Sequence, residues 1–231
     1  MLFTINLTSN RSFQIRNFEE DKIATLKANK GLRYVGKVKD FFKFSGNFYL
    51  TNPQGDLIES FEIVILIGKA YPNVFPIVVL IDDKIEKNED NHMSVDGIIC
   101  FEHDYITNAI SKSGLRLYDF ANYYLPKYFS WVLVKKYGAA QNLQEWAHGD
   151  EGTKQFYETL LGTTNKNTVR LFLENYCKAP KINRNDKCFC GNEKKLKHCH
   201  LEAAYYLKAT SKQNISKDIA LFAISINPSD N

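Results

Sequence analysis

Residues 34–50 read YVGKVKDFFKFSGNFYL, and the reading of this stretch decides the fold. Aromatic and β-branched residues dominate it, and Ser45-Gly46-Asn47 is a turn signal, so it predicts two antiparallel strands. A third strand is expected at Phe61 to Ile67, after the turn Asn52-Pro53-Gln54-Gly55. A fourth follows Pro76 at Ile77 to Ile81. Upstream, Asn17-Phe18-Glu19-Glu20 has the form of a capping box, with Phe18, Ile23 and Leu26 at roughly helical spacing, which places a helix from about Asn17 to Asn29. The expected order is one helix and then a four-strand meander.

From Asp82 to Ser94 the composition is polar and charged, as in a long exposed loop, and it ends at Val95-Asp96-Gly97-Ile98-Ile99-Cys100. Leu115 to Tyr137 carries an apolar stripe on nearly every side, which predicts a core helix split or kinked at Pro126. Shorter helices are expected from Thr153 to Leu161, after a loop at His148 to Gly152, and from Asn167 to Cys177, with a boundary at Ala179-Pro180. The class is therefore α+β. The expected divisions are 1–163 for the sheet domain, 164–180 for a linker helix, 181–203 for a cysteine-rich knuckle and 204–231 for a tail that packs on something.

Of the 231 residues, 44% are hydrophobic and 24% charged, the balance of a folded globular chain, and the formal charge of +4 is modest. The longest apolar run, Phe61 to Gly68, is strand-length and interrupted by Glu62, so no membrane association is expected. The first residues, MLFTINLTSNRSFQ, lack the basic start, apolar stretch and cleavage site of a secretory signal. Five cysteines, three of them between 188 and 199, are unlike a paired disulfide framework. A reducing, cytoplasmic setting follows.

Residues 182–200 read INRNDKCFCGNEKKLKHCH, that is Cys-x-Cys, eight residues, then Cys-His. Zinc favours a tetrahedral shell of thiolate and imidazole, and four protein ligands leave no position for substrate. The glycine at Cys190-Gly191 lets backbone amides turn toward the sulfurs. The alternative is a basic loop that happens to hold reduced cysteines. The stretch resembles the SEC-C motif, found at the end of the bacterial translocation ATPase SecA and appended to many bacterial proteins, through Arg184-Asn185-Asp186, Gly191, Lys194-Lys195 and Lys197. That resemblance implies a Zn2+ site with Cys188, Cys190, Cys199 and His200 as ligands and His198 as a poor substitute. Phe189 departs from the small or proline residue usual between the cysteines. Lys178, Lys181, Arg184, Lys187, Lys194, Lys195 and Lys197 make this the most basic part of the chain. They read equally as a solvated face or as a dock for an acidic protein surface or a phosphate backbone.

Cys100 follows two isoleucines, a setting more usual for a buried small hydrophobe than for a nucleophile. The element order around it, with Tyr71-Pro72-Asn73-Val74-Phe75-Pro76, His92 in the next loop and Gly97-Ile98-Ile99-Cys100, resembles the ubiquitin-conjugating (UBC) fold over roughly residues 15 to 162. The resemblance implies Cys100 as the nucleophile that carries a protein C-terminus as a thioester, resolved by a lysine amine into an isopeptide. The family's His-Pro-Asn stretch is absent, since Met93 and Ser94 follow His92. A lost oxyanion donor is worth ~3 kcal/mol of transition-state stabilisation, and His92, Ser94 or a backbone amide would have to substitute. The later segment Trp146 to Gly152 resembles bacterial members of this fold from anti-phage CBASS operons, which implies a cGAS-like nucleotidyltransferase as the protein partner. His148, His103 and Asp104 are candidates for tuning the thiol or simply loop and capping residues, and Cys177 reads as structural. The competing expectation is an inactive UBC-like adaptor that binds a protein tail. A nucleic-acid-associated zinc protein is a third, resting on the basic knuckle alone.

Overall fold

In the computed structural model, described for residues 18–138 and 147–223, the chain divides into two compact units, Met1–Glu145 and Trp146–Asn231. The first opens with α1 (Phe18–Ala28) and an antiparallel sheet of β1 (Leu32–Val38), β2 (Phe41–Thr51), β3 (Leu57–Gly68) and β4 (Ile77–Leu80) in the order β1-β2-β3-β4. This is a meander, as expected. Alternation supplies its core face: Phe44, Phe48 and Leu50 from β2, Phe61, Ile63, Ile65 and Ile67 from β3, and Val78 and Leu80 from β4 are buried.

The hairpin between β1 and β2 turns at Lys39-Asp40, where Val38 pairs with Phe41 and Lys39 takes a left-handed φ of 51°. The expected turn at Ser45-Gly46-Asn47 lies instead inside β2, paired along its length with β3. Gly46 is needed there for close approach. A Cβ on it would sit 2.2 Å from the Gly31 carbonyl oxygen, at a φ of 140°. Strand β3 begins earlier than expected because Asn52 closes the preceding turn with its side chain, accepting from the amides of Gln54 (3.0 Å) and Asp56 (2.8 Å).

After β4 come α2 (Asp104–Lys112) and a long helix, entered as α3 (Leu117–Asp119), passing through a π-helical turn at Phe120–Tyr124 and continuing as α4 (Leu125–Lys136). Pro126 stands at the first turn of α4, directly after the point where the run changes from π to α, in keeping with the expected split there. It has no N–H to give to the ladder, and the wider turn lies just before it. The helix crosses the inner face of the sheet, with Phe129 stacked on Phe61 at 4.1 Å and 12°.

Helix α1 differs from its expected face. Ile23 is exposed, and the buried positions are the polar Asp21 and Thr25. Asp21 is 2% exposed, and its carboxylate accepts from the amides of Leu117 (2.6 Å) and Tyr118 (3.2 Å) and from the Tyr71 hydroxyl. A residue of the first helix thus caps the N-terminus of the long one, where free amides and the helix dipole favour an anion. Burial, and next the bond to Asp21, push the Tyr71 phenol well above its ordinary range, so it stays a donor.

In the second unit, α5 (Gly149–Leu161) and α6 (Lys166–Lys178) precede the knuckle, and α7 (Leu201–Tyr206) and α8 (Lys212–Asp218) follow it. The division at 145/146 replaces the expected one at 163, because α5 packs with α6 and with the Ile219–Phe222 turn. Helix α6 is likewise no bare linker: Val169, Phe172, Leu173 and Tyr176 are buried in this unit's core. The tail expected to pack on something packs here as far as it is described, through Ile215 and Phe222, with the Tyr157 hydroxyl donating to Asp218 at 2.8 Å. Asn17, Trp146 and 224–226 lie outside the described residues. Among the described residues no helix is long and apolar enough to cross a membrane.

Asp21→Ala would leave two helix amides and the Tyr71 hydroxyl without their acceptor. Bonds to a charged acceptor are worth about 1.5–3 kcal/mol each in context, so we expect a loss of about 3 kcal/mol in urea unfolding of the sheet unit, with Asp21→Asn losing less. An unchanged midpoint would show that the cap contributes nothing.

Candidate metal centre and thiol site

In the second unit, segments 184–188 and 194–197 run antiparallel, with Lys187 bridged to Lys195, the Cys188 amide on the Lys194 carbonyl (2.9 Å) and the Leu196 amide on the Asp186 carbonyl (2.8 Å). The ladder carries Cys188 at one end, the Cys190-Gly191 turn carries the second sulfur, and the short turn Leu196–His198 delivers Cys199 and His200. Their four donor atoms lie within 4.8 Å of one another. The Cys188 sulfur is 3.2 Å from His200 Nδ1, the Cys199 sulfur is also 3.2 Å from it, and the Cys190 and Cys199 sulfurs are 3.8 Å apart. His198 is exposed and takes no part in the group.

The surroundings suit a cation. His200 Nε2 is 3.1 Å from the Leu161 carbonyl at the end of α5, an acceptor only, so Nε2 carries the proton and Nδ1 presents its lone pair to the sulfurs. The Asn192 side-chain amide donates to the Cys199 sulfur at 3.1 Å, and the Cys190 backbone amide donates to the Cys188 sulfur. These bonds offset thiolate charge. Without a cation, burial pushes the Cys188 thiol up to about 12. Phe172 lies 5.5 Å from the His200 ring and 5.7 Å from the Phe189 ring, closing the inner side with hydrocarbon. Phe189 therefore fills a packing position, and the Asn175 side chain holds its carbonyl at 2.8 Å. A group of three thiols and one imidazole so enclosed can hold a metal ion. Asn192 and the Leu161 carbonyl were not singled out in the sequence. Asn192 carries a signal, standing two residues after Cys190, whereas a carbonyl from another helix carries none.

In the first unit, residues 97–99 run beside β4. The Leu80 amide donates to the Gly97 carbonyl and the Ile99 amide to the Val78 carbonyl, each at 2.9 Å. Gly97 has a φ of 82°, and a Cβ on it would lie 2.5 Å from the Leu80 oxygen, so only glycine allows this approach. The segment pairs in turn with the 88–94 loop: Met93 bridges Ile99, and the Cys100 amide donates to the His92 carbonyl at 2.8 Å. The expected polar loop alternates between exposed and half-buried residues, and Ile85 and Met93 anchor it in the core.

Cys100 ends this ladder with an exposed side chain. His92 is brought beside it through the backbone. Its carbonyl meets the Cys100 amide, its own φ is 48°, and its ring lies against Trp131 of α4 at 5.1 Å. Ser94 accepts the Ile98 amide at 3.1 Å, which holds the turn rather than the sulfur. His103 caps α2, accepting the Tyr105 amide at 3.3 Å. His148 stands at the N-cap of α5 in the second unit. Partial burial pushes the Cys100 thiol up, and the carboxylates of Asp104 and then Glu102 push it further. Glu102 is itself paired with Lys127 at 2.5 Å, and its carboxylate is nearly buried. Cys177 is half-buried, its thiol 3.6 Å from the Lys212 carbonyl and raised by burial.

In comparisons with family models, curated proteins and solved structures, none matches the chain.

Cys190→Ser and His200→Ala should each abolish near-stoichiometric metal in elemental analysis of the purified protein, while Cys177→Ser and His198→Ala keep it. Metal retained by the first pair would exclude this ligand set. For Cys100, only the thiolate alkylates. A raised pKa therefore places the midpoint of iodoacetamide reactivity above the ordinary thiol value of about 8.5, and Asp104→Asn lowers it. A midpoint at or below the ordinary value would show that the carboxylates do not act on the sulfur.

Proposed function

We propose that the first unit is a ubiquitin-conjugating-like domain in which Cys100 carries the C-terminus of a protein as a thioester. The observation that supports this reading best is the position of Cys100, an exposed residue with a partly buried thiol at the end of a backbone-paired segment beside the last strand of a helix-plus-meander fold. In the proposed step the thiolate attacks an activated acyl carbon presented by a partner protein, the S–C bond forms, and the activating group leaves. A lysine amine then attacks the thioester carbonyl, the C–S bond breaks, and the amine proton returns to solvent or to the departing sulfur. His92 is the proposed orienting group. Its carbonyl is on the Cys100 amide and its ring rests on Trp131, so small shifts of the 88–94 loop would move both together. The partner implied by the resemblance to anti-phage proteins is a cGAS-like nucleotidyltransferase, and the proposed setting is the cytoplasm.

The second unit is proposed to hold Zn2+ in a structural site. Tetrahedral zinc with Zn–S bonds of about 2.3 Å requires sulfurs about 3.8 Å apart, and Cys190 and Cys199 stand 3.8 Å apart. The four protein donors complete the shell, so zinc there would supply folding free energy and no reactive water.

One observation favours a second reading, an adaptor that binds a protein tail without catalysis. The Cys100 thiol is raised by burial and then by two carboxylates, whereas a nucleophilic thiol is usually lowered by nearby cations.

Co-expression with the genes that neighbour this one separates the two readings. A reductant-sensitive adduct on gels should appear with the wild type and vanish with Cys100→Ala, while Cys100→Ser should trap a reductant-resistant ester or nothing. An adduct that survives Cys100→Ala defeats the enzyme reading and leaves the adaptor.

A further inference from the structure

The charge of this protein is divided unevenly. Residues 1–145 hold 17 lysines and arginines against 17 acids, whereas 146–231 hold 13 against 9, so the whole net charge of +4 belongs to the second unit. Within it, 178–197 carry seven basic residues against two acids. The fold of the knuckle concentrates them further. Its antiparallel ladder sets Lys187 opposite Lys195, with Lys194 one step along, and the Lys197 amide on the Arg184 carbonyl at 3.0 Å brings those two basic residues across from one another.

Like charges directly opposite in a ladder are destabilising. The two acids relieve them only in part, through one exposed ion pair at Lys187. Glu193 pairs with Lys187 at 2.7 Å, and Asp186 is bound by the Asn183 side chain at 3.0 Å. Among the described residues no carboxylate pairs with Arg184, Lys194, Lys195 or Lys197. Folding of the knuckle explains the cysteines, the histidine and Phe189, but it is opposed by this arrangement of cations. An anion that bridged them would turn the repulsion into attraction.

The character of the surface selects the anion. No large apolar side chain is exposed between 181 and 198 among the described residues, since Leu196 is buried and Ile182 and Phe189 are half-buried. Protein interfaces centre on buried aromatic and aliphatic anchors and are depleted in lysine. Nucleic-acid interfaces are polar, strongly positive and rich in backbone contacts from lysine, arginine and asparagine, and Asn185 and Asn192 are exposed among the cations. An exposed aromatic for base stacking, which single strands use, is missing from this stretch.

We propose that the metal-held hairpin binds the phosphate backbone of duplex DNA without sequence preference, through Arg184, Lys187, Lys194, Lys195 and Lys197. The inference is independent of Cys100 and goes beyond the proposed conjugation. Five cations set an upper slope of about −4.5 for log affinity against log salt.

Fluorescence anisotropy of the intact, metal-loaded chain with a short labelled duplex tests this. Affinity should fall by up to about five-hundredfold between about 50 and 200 mM salt. The variant Lys187→Ala/Lys194→Ala/Lys195→Ala should reduce the slope by about 2.7, with metal content unchanged. The corresponding triple arginine variant should bind at least as well as the wild type, and Lys27→Ala/Lys30→Ala/Lys37→Ala on the neutral unit should bind like it. Absence of salt-dependent duplex binding overturns the proposal, as does an alanine variant that keeps its metal and binds unchanged. Binding of poly-glutamate or of a single strand more tightly than the duplex overturns the assignment to duplex DNA.

Discussion

The sheet unit depends on one buried carboxylate. Asp21 sits on α1, yet its acceptors serve the start of the long helix and the hydroxyl of Tyr71, so three chain segments far apart in sequence meet at two oxygen atoms. A carboxyl group so deep is accommodated because both of its oxygens accept hydrogen bonds and it faces the positive end of a helix dipole. The consequence reaches the thiol site. Once α3–α4 is placed, Tyr128 donates to the Asn91 carbonyl at 2.7 Å, Trp131 supports the His92 ring, and Lys127 meets Glu102. The loop that carries His92 and the segment that carries Cys100 are thus held by one helix, itself capped from α1.

The Tyr71 to Pro76 turn works in the same network. Tyr71 reaches Asp21, the Pro72 carbonyl accepts the Leu115 amide at 3.0 Å, and the Phe75 ring contacts Phe101, Phe120 and Tyr124 at 5.3–5.9 Å. Phe101 is the neighbour of Cys100, so the motif braces the backbone beneath the sulfur. Accessibility and electrostatics pull apart at that sulfur. The residue is exposed, but ionising its thiol costs free energy against partial burial and two carboxylates, one of which is paired with Lys127.

In the second unit the Cys/His group is joined to helices rather than appended to them. His200 reaches the last carbonyl of α5, Phe172 of α6 covers the imidazole, and Asn175 of α6 holds the Phe189 carbonyl. A cation bound there would tie α5, α6 and the knuckle together. The small apolar core of this unit, centred on Tyr157, Phe172 and Phe222, would gain most from such a tie.

Much of this protein was legible in the order of its residues. Aromatic and β-branched residues set between turn signals marked the strands, because such side chains pack well on a pleated, half-buried surface. The four residues that could hold a metal ion were legible because soft ligands crowded into a short span have few other uses. Other features depended on contacts across the fold. Gly46 reads as a turn in sequence, and only the approach of Gly31 shows that it sits in mid-strand. Asp21 looks like an ordinary acid in a first helical turn, and Ile23 like its buried neighbour. The packing of α1 reverses them, because the free amides of a helix nearly a hundred residues away need an acceptor more than the core needs one further isoleucine. The cationic ladder is of the same kind: composition counts its charges, but only the pairing of 184–188 with 194–197 sets them face to face, since opposition across a ladder is a property of register and not of sequence.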